Sequence, residues 1–308
     1  MKYDICVFGG CSIDQTFYAN EYGEYNDIPD IIVPGGKGSN QAVAAARAGA
    51  KVTIITRIGN DQVGKQIEDN LRENNVDISN LDKIDNLNND QALIYIDNKT
   101  KDNKIERITG AIDSFTEDMI NTYEEVLKSS KIIIAQMKIP KNVSIKLINF
   151  CYENKIPIII TPCRPKKLAI SEEGNKELID KITYITCNEE ECRTMFETDN
   201  IEECVRKYPN KLIVTLGENG VIYNNGSETI HLPAIKPDIV EDTAGAGDTF
   251  NGNFANFIIE GYSFEEAIYY AQFAASLKIT KKSAQGGMPY KAELEEYIKE
   301  HDTKKIKK

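Results

Sequence analysis

Hydrophobic residues come in short blocks along this chain, separated by polar segments with a helical period. Residues 131–136 (Lys-Ile-Ile-Ile-Ala-Gln), 156–161 and 211–216 are almost wholly apolar, the pattern of strands buried on both faces. Residues 1–9, 51–56 and 183–187 read as further strands. Helical periods occupy 61–74, 116–128, 141–154, 189–196 and 202–208, and the last part of the chain closes on helices at 247–259, 264–280 and 290–301. Strands alternating with helices predict an α/β fold, a mostly parallel sheet with helices packed on it. A chain of 308 residues suits one such domain, 1–308,.

Two stretches break the alternation. Residues 14–34 are polar and aromatic, and 91–109 read as two strands around a turn at 98–103. Ligands of open α/β sheets bind beyond the carboxyl ends of the strands, and a small β flap there excludes water from a reaction. The Asn-rich segment 84–90 reads as a surface loop.

Charge and composition narrow the partners. The net charge is −11 and no basic stripe is present, which argues against nucleic acid. The basic tail 304–308 reads as a frayed, solvated end. No apolar run reaches membrane-spanning length and no signal peptide is visible,. Seven cysteines without regular spacing imply reduced thiols and a cytoplasmic protein,. Cys187 and Cys192 lack the second pair that a zinc site needs. The two histidines, His231 and His301, sit in no motif, so a histidine-centred triad is not expected,.

The chemistry concentrates in two segments. Asp242-Thr243-Ala244-Gly245-Ala246-Gly247-Asp248 runs straight into a helical pattern. Small residues at a helix start leave backbone N–H groups bare at the positive end of the helix dipole, which suits a phosphate. Asp248 then places a carboxylate beside it, the pairing that phosphoryl transfer to a hydroxyl needs. Taken alone, the glycines could serve a turn and Asp248 a cap. The second segment, Gly35-Gly36-Lys37-Gly38-Ser39-Asn40-Gln41, opens an alanine-rich helix suited to tight packing on a sheet,. The chain has no Gly-x-x-x-x-Gly-Lys-Ser/Thr loop, and Gly9-Gly10-Cys11 lacks the Gly-x-Gly-x-x-Gly of dinucleotide folds,.

Together these segments resemble the two signatures of the PfkB (ribokinase-like) carbohydrate kinase family. Gly35, Gly36, Gly38, Asn40, Ala42, Gly49 and Gly59 fall at the spacing of the first; Asp242, Thr243, Gly245, Ala246, Gly247, Asp248 and Gly252 at that of the second. Asn253 stands where the family has a small residue. The resemblance spans nearly the whole chain. It implies a three-layer α/β/α sandwich with a small β lid, from about 14–34 and 91–109, that also forms a homodimer interface. It implies an ATP- and Mg²⁺-dependent kinase of a small sugar, ribose first.

The residue roles that follow are those of the family. Asp248 is the general base and Gly245, Ala246 and Gly247 form the anion hole. Asp14, Gly36, Lys37, Gly38 and Asn40 hold the sugar, with Ser12 where the family's ribose kinases have asparagine. Asn188, Thr215, Gly217, Asn219, Gly220, Gly247 and Gln272 line the nucleotide, and Glu191 positions the hydrated magnesium. Asp242 and the Ala244 carbonyl match ligands of a potassium ion; Ser283 replaces a glycine in the loop 281–289 that supplies the rest, and Gly287 lacks a hydroxyl. Residues read without the family give blander roles: a hairpin at 211–223, and acids at 189–191 favouring a helix dipole.

One departure bears on the substrate. Lys138 stands where the family's ribose kinases have glutamate. It could pair with Asp14, face solvent, or recognise an anionic group. Gln91 and Ile112 differ as well. Fructose, a sugar acid, a phosphorylated sugar or a nucleoside therefore stand beside ribose, and a non-catalytic sugar- or nucleotide-binding regulator is the alternative of another class.

Overall fold

The computed structural model describes residues 1–20, 22–97 and 103–302; the tail 304–308 and the centre of the turn at 98–103 lie outside them. In chain order the elements are β1 (Tyr3–Phe8), β2 (Ser12–Tyr18), β3 (Ile31–Gly35), α1 (Lys37–Arg47), β4 (Val52–Gly59), α2 (Gln62–Glu73), β5 (Leu81–Ile84), β6 (Asp90–Ile96) and β7 (Asn103–Ile108). Then follow α3 (Asp118–Thr122), α4 (Glu124–Lys128), β8 (Ser130–Gln136), α5 (Lys141–Glu153), β9 (Ile158–Thr161), α6 (Asn175–Lys181), β10 (Tyr184–Asn188), α7 (Glu189–Phe196) and α8 (Ile201–Lys207). The chain closes with β11 (Leu212–Thr215), β12 (Val221–Asn224), β13 (Thr229–Leu232), α9 (Ala246–Ile259), α10 (Phe264–Lys278) and α11 (Lys291–His301).

The large sheet has nine strands in the order β13-β12-β11-β10-β9-β8-β1-β4-β5. It is parallel from β5 to β11, and the hairpin strands β12 and β13 add an antiparallel edge. Each central strand feeds two cores. Ile5 and Val7 of β1 join Ile54, Ile132, Phe250 and Phe254 on one face, while Cys6 and Phe8 join Ile55, Ile133, Leu147 and Ile158 on the other. Period-two alternation in an apolar run therefore produces the sandwich.

A separate four-stranded sheet has the order β3-β2-β6-β7. β2 pairs antiparallel with β3 and parallel with β6, in a register that sets Ser12 opposite both Gly35 and Asp90. Helices α1 and α9 pack at backbone distance: a Cβ on Gly252 would stand 2.7 Å from both Ala44 Cβ and Ala45 N. No helix among the described residues is long and apolar enough to cross a membrane.

Some expectations differ from the structure. The helix expected over 116–128 is two, broken at Tyr123, whose backbone leaves the helical region (φ −104°, ψ 19°) and whose hydroxyl donates to Asp82. The segment 84–90 is more than a surface loop. Asn89 is fully buried; its Oδ1 accepts from Gly59 N at 2.9 Å and its Nδ2 donates to Asp61 Oδ1 at 2.7 Å. Asp90 is buried too, accepting from Ile112 N at 2.8 Å. β5 and α6 were not expected; each is short, and β5 carries Asp82 and Lys83 within an otherwise apolar strand.

Candidate active site

Helix α9 begins at a turn. Gly245 has φ 78° and no side-chain cap is present. Its Cβ would stand 2.5 Å from the Ala284 carbonyl oxygen, so both the left-handed backbone and the close approach require glycine. The Ala246 amide donates to Thr243 O at 3.2 Å and closes the turn. Of the three amides expected to face an anion, that one is engaged. Among the described residues the amides of Gly245, Gly247 and Asp248 have no backbone acceptor.

Asp248 is 6% exposed and does not cap the helix. Its Oδ2 accepts from Asn40 Nδ2 at 3.0 Å and its Oδ1 from Gln41 Nε2 at 2.9 Å. Each of those amides is held by another: Gln285 Nε2 donates to Asn40 Oδ1 at 2.9 Å, and Gln136 Nε2 to Gln41 Oε1 at 2.8 Å. The first arm continues, Asn70 Nδ2 donating to Gln285 Oε1 at 3.0 Å, while Arg47 binds the Gln285 carbonyl at 2.7 Å. All four amide side chains beside Asp248 are buried. Buried polar groups require such partners, and a satisfied network fixes one geometry.

Gln41, Gln136 and Gln285 were assigned no role from sequence. The available signal was a glutamine inside an alanine helix and another at the end of an isoleucine run, both positions that bury their side chains. Asn251 was also missed. Its Nδ2 donates to Thr161 Oγ1 at 2.8 Å, and its buried Oδ1 has no partner among the described residues.

Most of the expected residues fall into three groups. Lys37, Asn188, Glu191, Thr215, Gly247 and Asp248 line one solvent-open cleft with Thr161 and Asn251. The Asp248 carboxylate beside Lys37 raises its ammonium well above the usual lysine value, and Glu191 adds to the effect. The Cys163 thiol is nearby; burial pushes it up to about 12, against the charge of Lys37. Asn188 and Glu191 form a capping box on α7: Glu191 N donates to Asn188 Oδ1 at 2.7 Å, and Asn188 N to Glu191 Oε2 at 3.1 Å. Thr215 Oγ1 donates to the Cys187 carbonyl at 3.3 Å. Gly217, Asn219 and Gly220 turn β11 into β12 outside this cleft, as the hairpin reading has it. Gln272 is buried on α10, its Nε2 without a partner among the described residues.

The second group is on the small sheet. Ser12 is buried, and the Asp14 carboxylate lies over Gly35, 2.8 Å from where a Cβ would stand. Gly36 precedes α1, and Gly38 N donates to Gly10 O at 3.0 Å, tying α1 to the end of β1. Burial raises the Asp14 carboxyl, and the charges of Lys138 and Arg107 oppose it. Burial also raises Asp90, against the Ile112 amide and Lys138. Lys138 is half-buried.

The third group is the turn at Asp242 and Ala244 with the loop at Ser283. Asp242 Oδ1 accepts from Ala244 N at 2.8 Å and Oδ2 from Ser283 N at 2.9 Å. The Asp242 carbonyl accepts from Lys278 Nζ at 2.7 Å. Burial pulls the Lys278 ammonium down from its usual value, and Asp242 opposes that shift. A second, partly open pocket lies between α9, α10 and α11, and none of the expected residues lines it.

A family model for the pfkB family carbohydrate kinases matches residues 2–291. The chain is 36% identical over 300 residues to a ribokinase of Bacillus subtilis, covering 96% of this chain and 99% of the relative. It is 39% identical over 301 residues to a ribokinase of Lactococcus lactis, covering 96% and 97%. Its fold superposes with a TM-score of 0.85 on an Arabidopsis thaliana ribokinase complexed with ribose and ATP, at 25% identity, covering 97% and 99% of the two chains. The chain, ribokinase-like in fold, belongs to the pfkB family of carbohydrate kinases, phosphotransferases with an alcohol group as acceptor.

Proposed function

We propose that this kinase transfers the γ-phosphate of ATP to a hydroxyl of ribose. The observation that carries the proposal is the Asp248 carboxylate, held on both oxygens by buried amides and set beside the free amides that open α9. The relatives named for ribose and ATP supply the choice of substrates.

The sugar lies between the small sheet and α1, with its hydroxyls on Asp14 and Asn40. Asp248 accepts the proton of the attacking hydroxyl. The amides of Gly245 and Gly247 and the Lys37 ammonium stabilise charge on the transferred group. The nucleotide runs from that anion site past Asn188 and Thr215. The described residues contain no group of three or more His, Cys, Asp or Glu able to hold a metal by themselves. The cleft nevertheless presents carboxylate and amide oxygens, which suit magnesium arriving on the nucleotide phosphates with much of its water shell. Glu191 would hold it through water, and bound magnesium would neutralise phosphate charge. The small sheet acts as a lid. Ile31 and Ile32 of its strand β3 are 43% and 46% exposed, and we read this apolar edge as the contact of a homodimer.

A coupled ADP-release assay with magnesium over pentoses, hexoses, sugar acids and nucleosides tests the proposal. Ribose should give the highest kcat/KM. Background turnover with every acceptor would overturn it in favour of a non-catalytic binding protein. Lys138 supports a second reading, because its charge reaches Asp14 beside the sugar position. An anionic sugar would then outcompete ribose, and Lys138→Glu would reverse that preference.

A further inference from the structure

Asp242, the first residue expected to bind a potassium ion, offers it no free oxygen. Each oxygen of Asp242 already faces a protein donor: the two carboxylate oxygens accept the amides of Ala244 and Ser283, and the carbonyl accepts the Lys278 ammonium. Lys278 is 0% exposed, at the last position of α10. Its bond to Asp242 O, at 2.7 Å, is the one hydrogen bond of the ammonium among the described residues. The hydroxyl that Gly287 lacks is a further missing ligand, and Gly287 packs instead on Lys278: its Cβ would stand 2.1 Å from the Lys278 carbonyl oxygen.

A buried ammonium is retained only where negative groups or dipoles compensate it. Here they are the Asp242 carbonyl and, more remotely, the Asp242 carboxylate. An ammonium and a potassium ion carry the same charge and use the same carbonyl oxygens, so one displaces the other. The position also connects to the chemistry. Asp242 Oδ1 holds the Ala244 amide, Ala244 precedes Gly245, and Gly245 packs on the Ala284 carbonyl. A positive charge under this turn therefore fixes the anion hole from behind.

We propose that the Lys278 ammonium is a built-in replacement for the monovalent cation, so that phosphoryl transfer by this kinase needs no potassium. Lys278 is a positioning residue: it touches Asp242, not the substrates. The inference rests on the anion-hole role given to Gly245 and Gly247 above.

The test compares KCl with tetramethylammonium chloride at equal ionic strength, in wild type, Lys278→Ala and Lys278→Gln. Wild type should show the same kcat in both salts, within about twofold, and a melting temperature unmoved by potassium. Lys278→Ala should lose about tenfold or more of kcat in tetramethylammonium and recover much of it in KCl, with a potassium-dependent rise in melting temperature. A merely structural lysine would give loss without potassium rescue, and that result overturns the proposal. So does wild-type turnover or melting that responds to potassium, a measurement that needs no folded variant. Turnover absent in every salt would instead sink the kinase reading, while the melting curves still report on the cation.

Discussion

Asn40 Nδ2 donates to Asp248 Oδ2 at 3.0 Å, joining residues 208 positions apart. With Gln41 on the other oxygen, the carboxylate is fixed in rotation as well as position. The outer amides, Gln136 and Gln285, do not bind Asp248; they orient the amides that do. Removing Gln136 leaves the buried Gln41 Oε1 without its donor, and an unsatisfied buried polar group costs about 1–3 kcal/mol. Gln136→Leu should therefore lower kcat/KM by roughly ten- to a hundredfold, with ATP affinity unchanged. Equal losses in nucleotide binding would show general unfolding instead.

Asp248→Asn should fold with a near-native melting temperature, bind ATP, and lose about 10²–10⁴ in kcat. Single-turnover phosphoryl transfer measures the step directly. Transfer at the wild-type rate would remove Asp248 from the role of base.

Burial raises Asp14, and Lys138 works against the shift. Folding thus favours the protonated form, and this group's contribution to stability falls as pH rises through the folded value. For the proposed function the sign is opposite, because in that reading sugar binding uses the carboxylate. KM for the sugar should climb as pH falls, beginning above the ordinary aspartate value of about 3.9. In Lys138→Met the climb should begin at higher pH, because burial is then less opposed. Asp14→Asn should abolish it. A limb that stays put in Lys138→Met would show that the lysine does not act on Asp14.

Gly245→Ala forces a left-handed residue costing about 1–2 kcal/mol and places a methyl 2.5 Å from Ala284 O. The loop must shift, and the anion hole with it. We expect kcat to fall further than the stability loss alone explains. Thermal melting beside steady-state kinetics separates the two.

Gly252→Leu inserts a side chain where α1 and α9 touch at backbone distance. Overpacking of this kind costs about 1–3 kcal/mol, a drop of several degrees in melting temperature at this size, about 2–4 °C per kcal/mol. An unchanged melting curve would mean that the helices separate freely.

Much of this fold was legible because its strands are buried on both faces. Runs such as 131–136 announce themselves, whereas β5, with Asp82 and Lys83 inside it, does not. The motif residues were legible because Gly245 and Asp248 carry chemistry in their order alone. The amides around Asp248 were not: Gln41, Gln136 and Gln285 come from a helix, a strand end and a late loop, and only the tertiary structure brings them to one carboxylate. Lys278 was invisible for the same reason. At the end of a helix a lysine reads as a favourable partner of the dipole, and nothing local says that its ammonium turns inward to Asp242.

The contact of Gly252 with Ala44 has a consequence for how the enzyme is made. It holds the helix that carries Asn40 against the helix that carries Asp248, 208 positions further along the chain. On refolding from denaturant, recovery of helical circular dichroism should precede recovery of turnover, since this long-range closure is a late, entropically costly event.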